Sequence, residues 1–225
     1  MKSFAVAESS ASFASAMALL LFAAGANANA IVFNNALQGG SQQDYVLGMD
    51  FDVISPVTVT QLGTFDDLGN GFASGTTIQV GIFSTTSTLL VGSSATFSSV
   101  TPGTLTGGSR FLPVVAPFVL LPGRYSIVGT GYTPGSQSGN TGLGQTTPVF
   151  DNLGGALSLV PKGGRWNEQG DDPFVLPTDN LGGYDQPDPV FLAATFAASI
   201  PDGGSASMML GFGLLAAGFV RRLIK

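Results

Sequence analysis

The stretch that decides the fold class is Tyr-Val-Leu-Gly-Met-Asp-Phe-Asp-Val, residues Tyr45–Val53. Its large apolar side chains fall at every second position, and polar or small residues such as Asp50 and Asp52 stand between them. A period of two is typical of a β-strand, because successive side chains point to opposite faces of a sheet. The pattern therefore predicts a strand with one face buried against a second sheet and the other face in water.

Similar runs of strand length recur along the chain between turn-forming residues. Together with Tyr45–Val53, the predicted strands are Val57–Gly63, Thr76–Phe83, Thr88–Phe97, Phe111–Leu120, Arg124–Gly131, Ala156–Val160 and Val190–Ala198. Proline–glycine turns separate several of them, as at Pro122-Gly123, and residues from about 133 to 188 look like long loops around one hairpin. The sequence thus predicts an all-β domain over residues 31–199, an antiparallel two-sheet sandwich of jelly-roll-like type.

Composition excludes several classes of protein. The chain of 225 residues has no cysteine and no histidine, which removes disulfides, thiol nucleophiles, serine–histidine triads and histidine-based metal sites. Between residues 31 and 200 there are four basic and twelve acidic residues, a net charge of −8. Such a surface repels phosphate backbones, so we expect no nucleic-acid partner.

The first 30 residues have the organisation of a secretory signal peptide. Lys2 precedes an apolar stretch, Phe13–Ala24, and two small-residue cleavage sites follow it, Ala26-Asn27-Ala28 and Ala28-Asn29-Ala30. A short apolar core followed directly by Ala-x-Ala sites is typical of a segment removed on export. We expect the mature chain to begin at Asn29 or Ile31.

The C-terminal end, residues 200–225, has the pattern of a transmembrane helix with a basic stop. Fifteen uncharged residues, Ala206–Val220, span about 22 Å as a helix, and counting from Gly203 brings this near the thickness of a bilayer. The residues predicted to stop transfer on the cytoplasmic side are Arg221, Arg222 and Lys225. This orientation leaves the sandwich outside the membrane, as the signal peptide does.

A short motif precedes this helix and carries a resemblance to a known family. The motif residues, which follow Ile200, are Pro201, Asp202, Gly203, Gly204 and Ser205. With the small-residue apolar helix and the terminal arginines, they resemble a PEP-CTERM sorting tail of the variant type in which valine, proline, aspartate, serine and glycine form the motif. The resemblance implies an exosortase-type processing enzyme as partner, a membrane-anchored precursor, a final place at the cell surface or outside the cell, and an exopolysaccharide-producing setting.

One acidic turn is a candidate metal site. The oxygen ligands of a predicted calcium site are Asp66, Asp67 and Asn70. Calcium prefers six to eight oxygens, but the same residues also make a polar hairpin turn closed by Asn70-Gly71, and we favour the turn, with no cofactor. A second oxygen-rich stretch consists of Asp171, Asp172, Asp179, Asp185 and Asp188. Aspartates in loops are more often caps than ligands.

Three aromatic residues in or near the predicted loops are candidates for stacking on sugar rings. They are Trp166, Tyr184 and Tyr132. A lone tryptophan is more often a core anchor, so this site stays an alternative.

The sequence therefore favours an exported surface or extracellular-matrix protein without enzymatic activity. A carbohydrate-binding or calcium-dependent adhesion module is the first alternative. The second is a small secreted glycosidase, which needs two carboxylates and here has Asp50 with Asp52 as the example pair.

Overall fold

The computed structural model describes residues 30–34, 45–86, 88–140, 149–168, 174–180 and 191–201. They belong to a compact body that spans Ala28–Pro201. The predicted signal helix and C-terminal helix lie outside the described residues. Within those residues, no helix has the length and apolarity needed to cross a membrane.

The described residues form strands joined by turns and short 3-10 segments. In chain order the strands are β1 Ala30–Ile31, β2 Phe33–Asn34, β3 Tyr45–Val53, β4 Val57–Phe65, β5 Thr77–Ser84, β6 Leu89–Ser98, β7 Thr104–Thr106, β8 Ser109–Leu120, β9 Gly123–Thr130, β10 Gly139–Asn140, β11 Val149–Phe150, β12 Leu157–Glu168, β13 Asp179–Asn180, β14 Phe191–Leu192 and β15 Ala194–Ser199. The 3-10 segments are Asp67–Gly69 and Leu153–Gly155.

Two antiparallel sheets make up most of the body. One sheet has the order β1-β15-β4-β8-β7, the other has the order β13-β12-β3-β9-β5-β6, and two short ribbons pair β10 with β14 and β2 with β11. The prediction of an all-β, sandwich-like fold with antiparallel sheets is confirmed. Six of the eight predicted strands are present within two residues of their expected bounds. The predicted strand Val190–Ala198 is divided into β14 and β15, and the strand predicted at Ala156–Val160 continues to Glu168 as β12.

The core lies between the two sheets and follows the period-two pattern of the sequence. The alternate apolar residues of β3 pack in one buried cluster with those of β4, β5 and β15. Phe51 of β3 and Phe196 of β15 are both fully buried, and their ring centroids are 5.1 Å apart. This aromatic contact joins one sheet to the other, and such pairs contribute beyond the area that they bury.

The second face of β3 differs from the prediction, because much of it is buried rather than in water. Asp50, on that face, is only 4% exposed. A separate apolar cluster covers one end of the six-stranded sheet, where Leu176 and Phe174 pack against Phe83 and Val128. The segment 174–178 therefore adds a partial third layer over the outer face of the sheet.

Strand β12 is longer than predicted, and a bulge interrupts it. Its register with β3 passes from Leu159 opposite Phe51 to Gly164 opposite Met49, so residues 160–163 stand against Asp50 alone. Lys162, in this bulge, has a positive φ of 57°. The strand predicted at Ala156–Val160 is present, and the prediction of loose loops is wrong for 161–168, because Pro161 and the glycines make a bulge within a strand that continues.

The bulge should be the first site of tryptic cleavage in the described part of the body. Lys162 is exposed on an irregular segment, whereas Arg124 lies within the regular central strand β9. Proteases require locally extended, open backbone, so brief digestion should cut after Lys162 before it cuts after Arg124. Peptide mass mapping over a time course measures the order, and a Lys162→Gln variant should lose the first cut alone. Early cleavage at Arg124 would contradict this expectation.

Candidate functional site

A polar cleft lies beside the turn that follows β4. The turn Asp67–Gly69 has a left-handed residue, Leu68 at φ 61°, and leads from β4 in the five-stranded sheet to β5 in the six-stranded sheet. The predicted hairpin closed by Asn70-Gly71 is therefore wrong, because the two strands that flank it belong to different sheets. The segment is a crossover between the two layers.

The buried carboxylate of Asp66 stabilises this crossover through hydrogen bonds to the backbone and to an arginine. Its side chain is 1% exposed, and both carboxylate oxygens accept the Gly71 N–H at 3.1 Å. The guanidinium of Arg110 donates to the same carboxylate and also to the carbonyl oxygens of Gly69 and Gly103, each at 3.3 Å. Both oxygens of Asp66 thus serve an ion pair and a loop closure, so this residue does not present a free carboxylate to a cation.

Asp67 and Asn70 line a cleft of about 220 Å³ together with Ser136 and Gln137. The Oδ1 atom of Asp67 is buried and accepts no hydrogen bond, and the Ser136 hydroxyl accepts the Ala73 N–H at 2.8 Å. The structure therefore brings together all three residues of the predicted calcium site, but one of their two carboxylates is committed to Arg110. Among the residues that the structure describes, no group of three acidic, histidine or cysteine side chains is placed to hold a metal ion.

The second oxygen-rich stretch falls mainly outside the described residues. This holds for Asp171, Asp172, Asp185 and Asp188. Asp179 begins the short strand β13, where its backbone lies opposite Trp166 of β12.

The two aspartates of the candidate glycosidase pair each bind an arginine through both oxygens. Arg165 donates to Asp50 at 2.6 and 2.8 Å, and Arg124 donates to Asp52 at 2.8 and 2.9 Å. The hydrogen bonds from Arg124 outweigh partial burial and lower the pKa of Asp52. A carboxyl group with a lowered pKa is a poor proton donor at neutral pH, which is the opposite of what a glycosidase acid requires.

Of the predicted stacking residues, the structure describes Tyr132 and Trp166. Tyr132 is 1% exposed, and its hydroxyl contacts the Thr64 hydroxyl at 2.9 Å and donates to the Ala193 carbonyl. Burial raises the pKa of Tyr132, and its ring is not available to a ligand, so this part of the prediction is wrong. Trp166 lies on β12, where it packs on the core edge-on to Tyr45 at 5.8 Å. Tyr184 lies outside the described residues.

Sequence reasoning did not predict that three arginines bind the aspartates of the candidate sites. Each of Arg110, Arg124 and Arg165 forms an ion pair with an aspartate far away in the sequence. The signal that pointed to them is the small number of cations in the body, since a buried arginine in an acidic chain needs a carboxylate nearby. The spacing along the chain does not show which aspartate each arginine takes.

Of the sorting motif, the structure describes only the first residue. Pro201 is exposed and follows β15 after Ile200. The remaining motif residues and the predicted membrane stop lie outside the described part. They are Asp202, Gly203, Gly204, Ser205, Arg221, Arg222 and Lys225.

Comparison with known proteins does not assign the chain to a family. No protein-family model matches it, and no curated protein is significantly similar to it.

Proposed function

We propose that the chain is an exported cell-surface or extracellular-matrix protein of non-enzymatic role, sorted through its C-terminal tail. The observation that carries the proposal is the extent of the compact body, Ala28–Pro201. The apolar parts of the predicted signal peptide and of the predicted C-terminal membrane helix fall before Ala28 and after Pro201, outside this body. The core cluster of the described residues runs from Val32 to Ala198, and we assign the two apolar segments outside the body to membrane signals.

The tail gives the proposal its mechanism. The apolar segment holds the precursor in the membrane, and Arg221 and Arg222 keep its end in the cytoplasm. The motif that begins at Pro201 then stands outside the membrane, directly after the body, where an exosortase-type enzyme can reach it. The processed body is left at the surface or in the matrix, where exopolysaccharide is the expected neighbour.

The ion pairs support a non-enzymatic role for the body. Asp50 and Asp52 are each held by an arginine, and Asp66 is held by Arg110. The charge-assisted hydrogen bonds fix all three carboxylates in place, and the lowered pKa of Asp52 makes that carboxyl group a poor proton donor. They favour a structural or interaction role over the glycosidase alternative.

We also propose that the sandwich is jelly-roll-like. The support is that the chain changes sheet between β3 and β4, between β4 and β5, between β6 and β7, and between β8 and β9. Repeated crossing between two layers is typical of jelly rolls, whereas simple meanders stay in one layer.

Two tail variants test the sorting proposal separately from simple anchoring. Deleting residues 206–225 removes the membrane segment, so the body should appear in the medium. A double variant, Pro201→Ala with Asp202→Ala, keeps the helix and its basic stop, so the chain should insert, escape processing and accumulate in the membrane at its full post-signal mass. Cell fractionation and intact-mass measurement in a host with the processing enzyme report both.

The matched control is Ser199→Ala, which changes a residue of β15 before the motif and should leave processing unchanged. If the double variant is processed and located like the parent protein, the motif is not a sorting signal. The C-terminal segment would then be a plain membrane anchor.

A further inference from the structure

The N-terminal edge of the body lies along the strand that leads into the tail. In the register of β1 and β15, Ala30 stands opposite Ala198 and Ile31 opposite Ala197. The pairing continues beyond β1, because the Val32 N–H donates to the Phe196 carbonyl at 3.0 Å. One residue further on, the Thr195 hydroxyl accepts the Phe33 N–H at 3.1 Å and donates to the Phe33 carbonyl at 3.0 Å.

This segment is an integral part of the core and not a loose end. Val32 and Phe33 are 0% and 1% exposed, and Ala198 is fully buried. The tail-bearing strand β15 therefore has partners on both sides, β4 on one and the N-terminal segment on the other. Without β1, the end of β15 next to the tail would become an open sheet edge.

The hydrogen-bond alternation of antiparallel strands gives Ala30 a specific role. The Val32 N–H donates to the Phe196 carbonyl, and in an antiparallel ladder the residues that bond to the same partner strand recur at every second position. From the register of Ala30 opposite Ala198, this alternation assigns the Ala30 carbonyl as the acceptor of the Ala198 N–H. Ala198 is fully buried, and a buried N–H without an acceptor is strongly unfavourable.

Cleavage at the two Ala-x-Ala sites would therefore give mature chains that differ in the pairing of β15. Cleavage after Ala30 removes the acceptor of the Ala198 N–H and places the new charged α-amino group on Ile31, a half-buried residue within the sheet. Cleavage after Ala28 keeps the whole of β1. It places the charge on Asn29, one residue before the paired segment.

Resting on the proposed export of the chain, we infer that signal peptidase cleaves between Ala28 and Asn29, so that Ala30 survives as the residue that completes the edge of the tail-bearing strand. The step is a hydrolysis in which water adds across one peptide bond, giving Ala28 a carboxylate and Asn29 an α-amino group. The site used is therefore Ala26-Asn27-Ala28, and the overlapping site that ends at Ala30 is not used.

The N-terminal peptide of the exported full-length protein tests the inference directly. After labelling of free α-amino groups, mass spectrometry should find Asn29 as the labelled residue in nearly all molecules. A labelled Ile31, or any other start after residue 29, overturns the inference and leaves the proposed export intact. An exported protein that still carries Met1 overturns the proposed signal peptide itself.

A matched pair of variants shows which site the peptidase reads. Small residues are required at the last and third-last positions before the cut, so Ala26→Leu blocks only the first site and Ala30→Leu blocks only the second. We expect Ala30→Leu to keep the Asn29 terminus and Ala26→Leu to lose it. The reverse pattern, or an unchanged Asn29 terminus in Ala26→Leu, overturns the assignment.

Discussion

Replacing Asp50 with alanine is expected to lower the free energy of unfolding by about 3–5 kcal/mol. The change leaves the guanidinium of Arg165, whose side chain is 19% exposed, without the carboxylate that binds it through both oxygens. Leaving a largely buried charge without its partner costs far more free energy than losing an ion pair at the surface. Urea unfolding followed by the fluorescence of Trp166, the single tryptophan, measures the effect.

The chain offers a matched control two residues further along the same strand. Asp52 binds Arg124 with the same two-point geometry, but their side chains are 31% and 49% exposed. Asp52→Ala should therefore lower the free energy of unfolding by less than about 1 kcal/mol, because water takes the place of the lost partner. Equal effects of the two variants would mean that the Asp50 pair is no more buried than the Asp52 pair.

A double variant separates the loss of the pair from the burial of an unpaired charge. Asp50→Leu combined with Arg165→Met replaces both charged groups with apolar side chains of similar size. Such replacements are often neutral for stability, so this variant should be clearly more stable than Asp50→Ala. If it is equally unstable, the destabilisation comes from lost packing and not from the stranded Arg165.

The strands were predictable from the sequence because their signal is local. The alternation of apolar and polar residues in Tyr45–Val53 predicts both a strand and its inward face, and the structure has the same strand bounds. The other face was not predictable, because what covers it comes from elsewhere in the chain. Leu176 and Phe174 contribute to that cover, and a period of two contains no information about a distant segment.

The extent of β12 was missed for a different reason. Pro161 and Gly163-Gly164 are residues that usually end a strand, and here they form a bulge after which pairing with β3 resumes. Local turn chemistry does not distinguish a bulge from a loop. The distinction depends on whether a partner strand continues alongside, as β3 does up to Tyr45.

The candidate site was predictable in its residue types but not in its contacts. Asp66, Asp67 and Asn70 do lie together at one cleft, as neighbours in sequence must. Their chemistry depends on Arg110, which is 44 residues away from Asp66 and takes its carboxylate. Tyr132 was likewise predicted to be an aromatic residue on a loop. In the structure its hydroxyl contacts the Thr64 hydroxyl and the Ala193 carbonyl, which are both far away in the sequence.

The second large effect is expected at Phe196, on the last strand before the tail. Phe196 is fully buried and packs on Phe51 of the opposite sheet, so Phe196→Ala removes a ring from the centre of the core. We expect the free energy of unfolding to fall by about 3–5 kcal/mol. Chemical denaturation measures the change, and hydrogen exchange should show faster exchange in β15 and in its neighbours β4 and β1.

The control for Phe196→Ala is Val115→Ala, since Val115 lies on a bulge of β8 and is fully exposed. This variant should change stability by no more than about 0.5 kcal/mol, because water already surrounds the side chain. A loss of under 1 kcal/mol for Phe196→Ala would contradict a core shared by the two sheets. With the expected loss, the Phe196 ring joins β15 to the opposite sheet, in addition to the pairing of β15 with β4 and β1 within its own sheet.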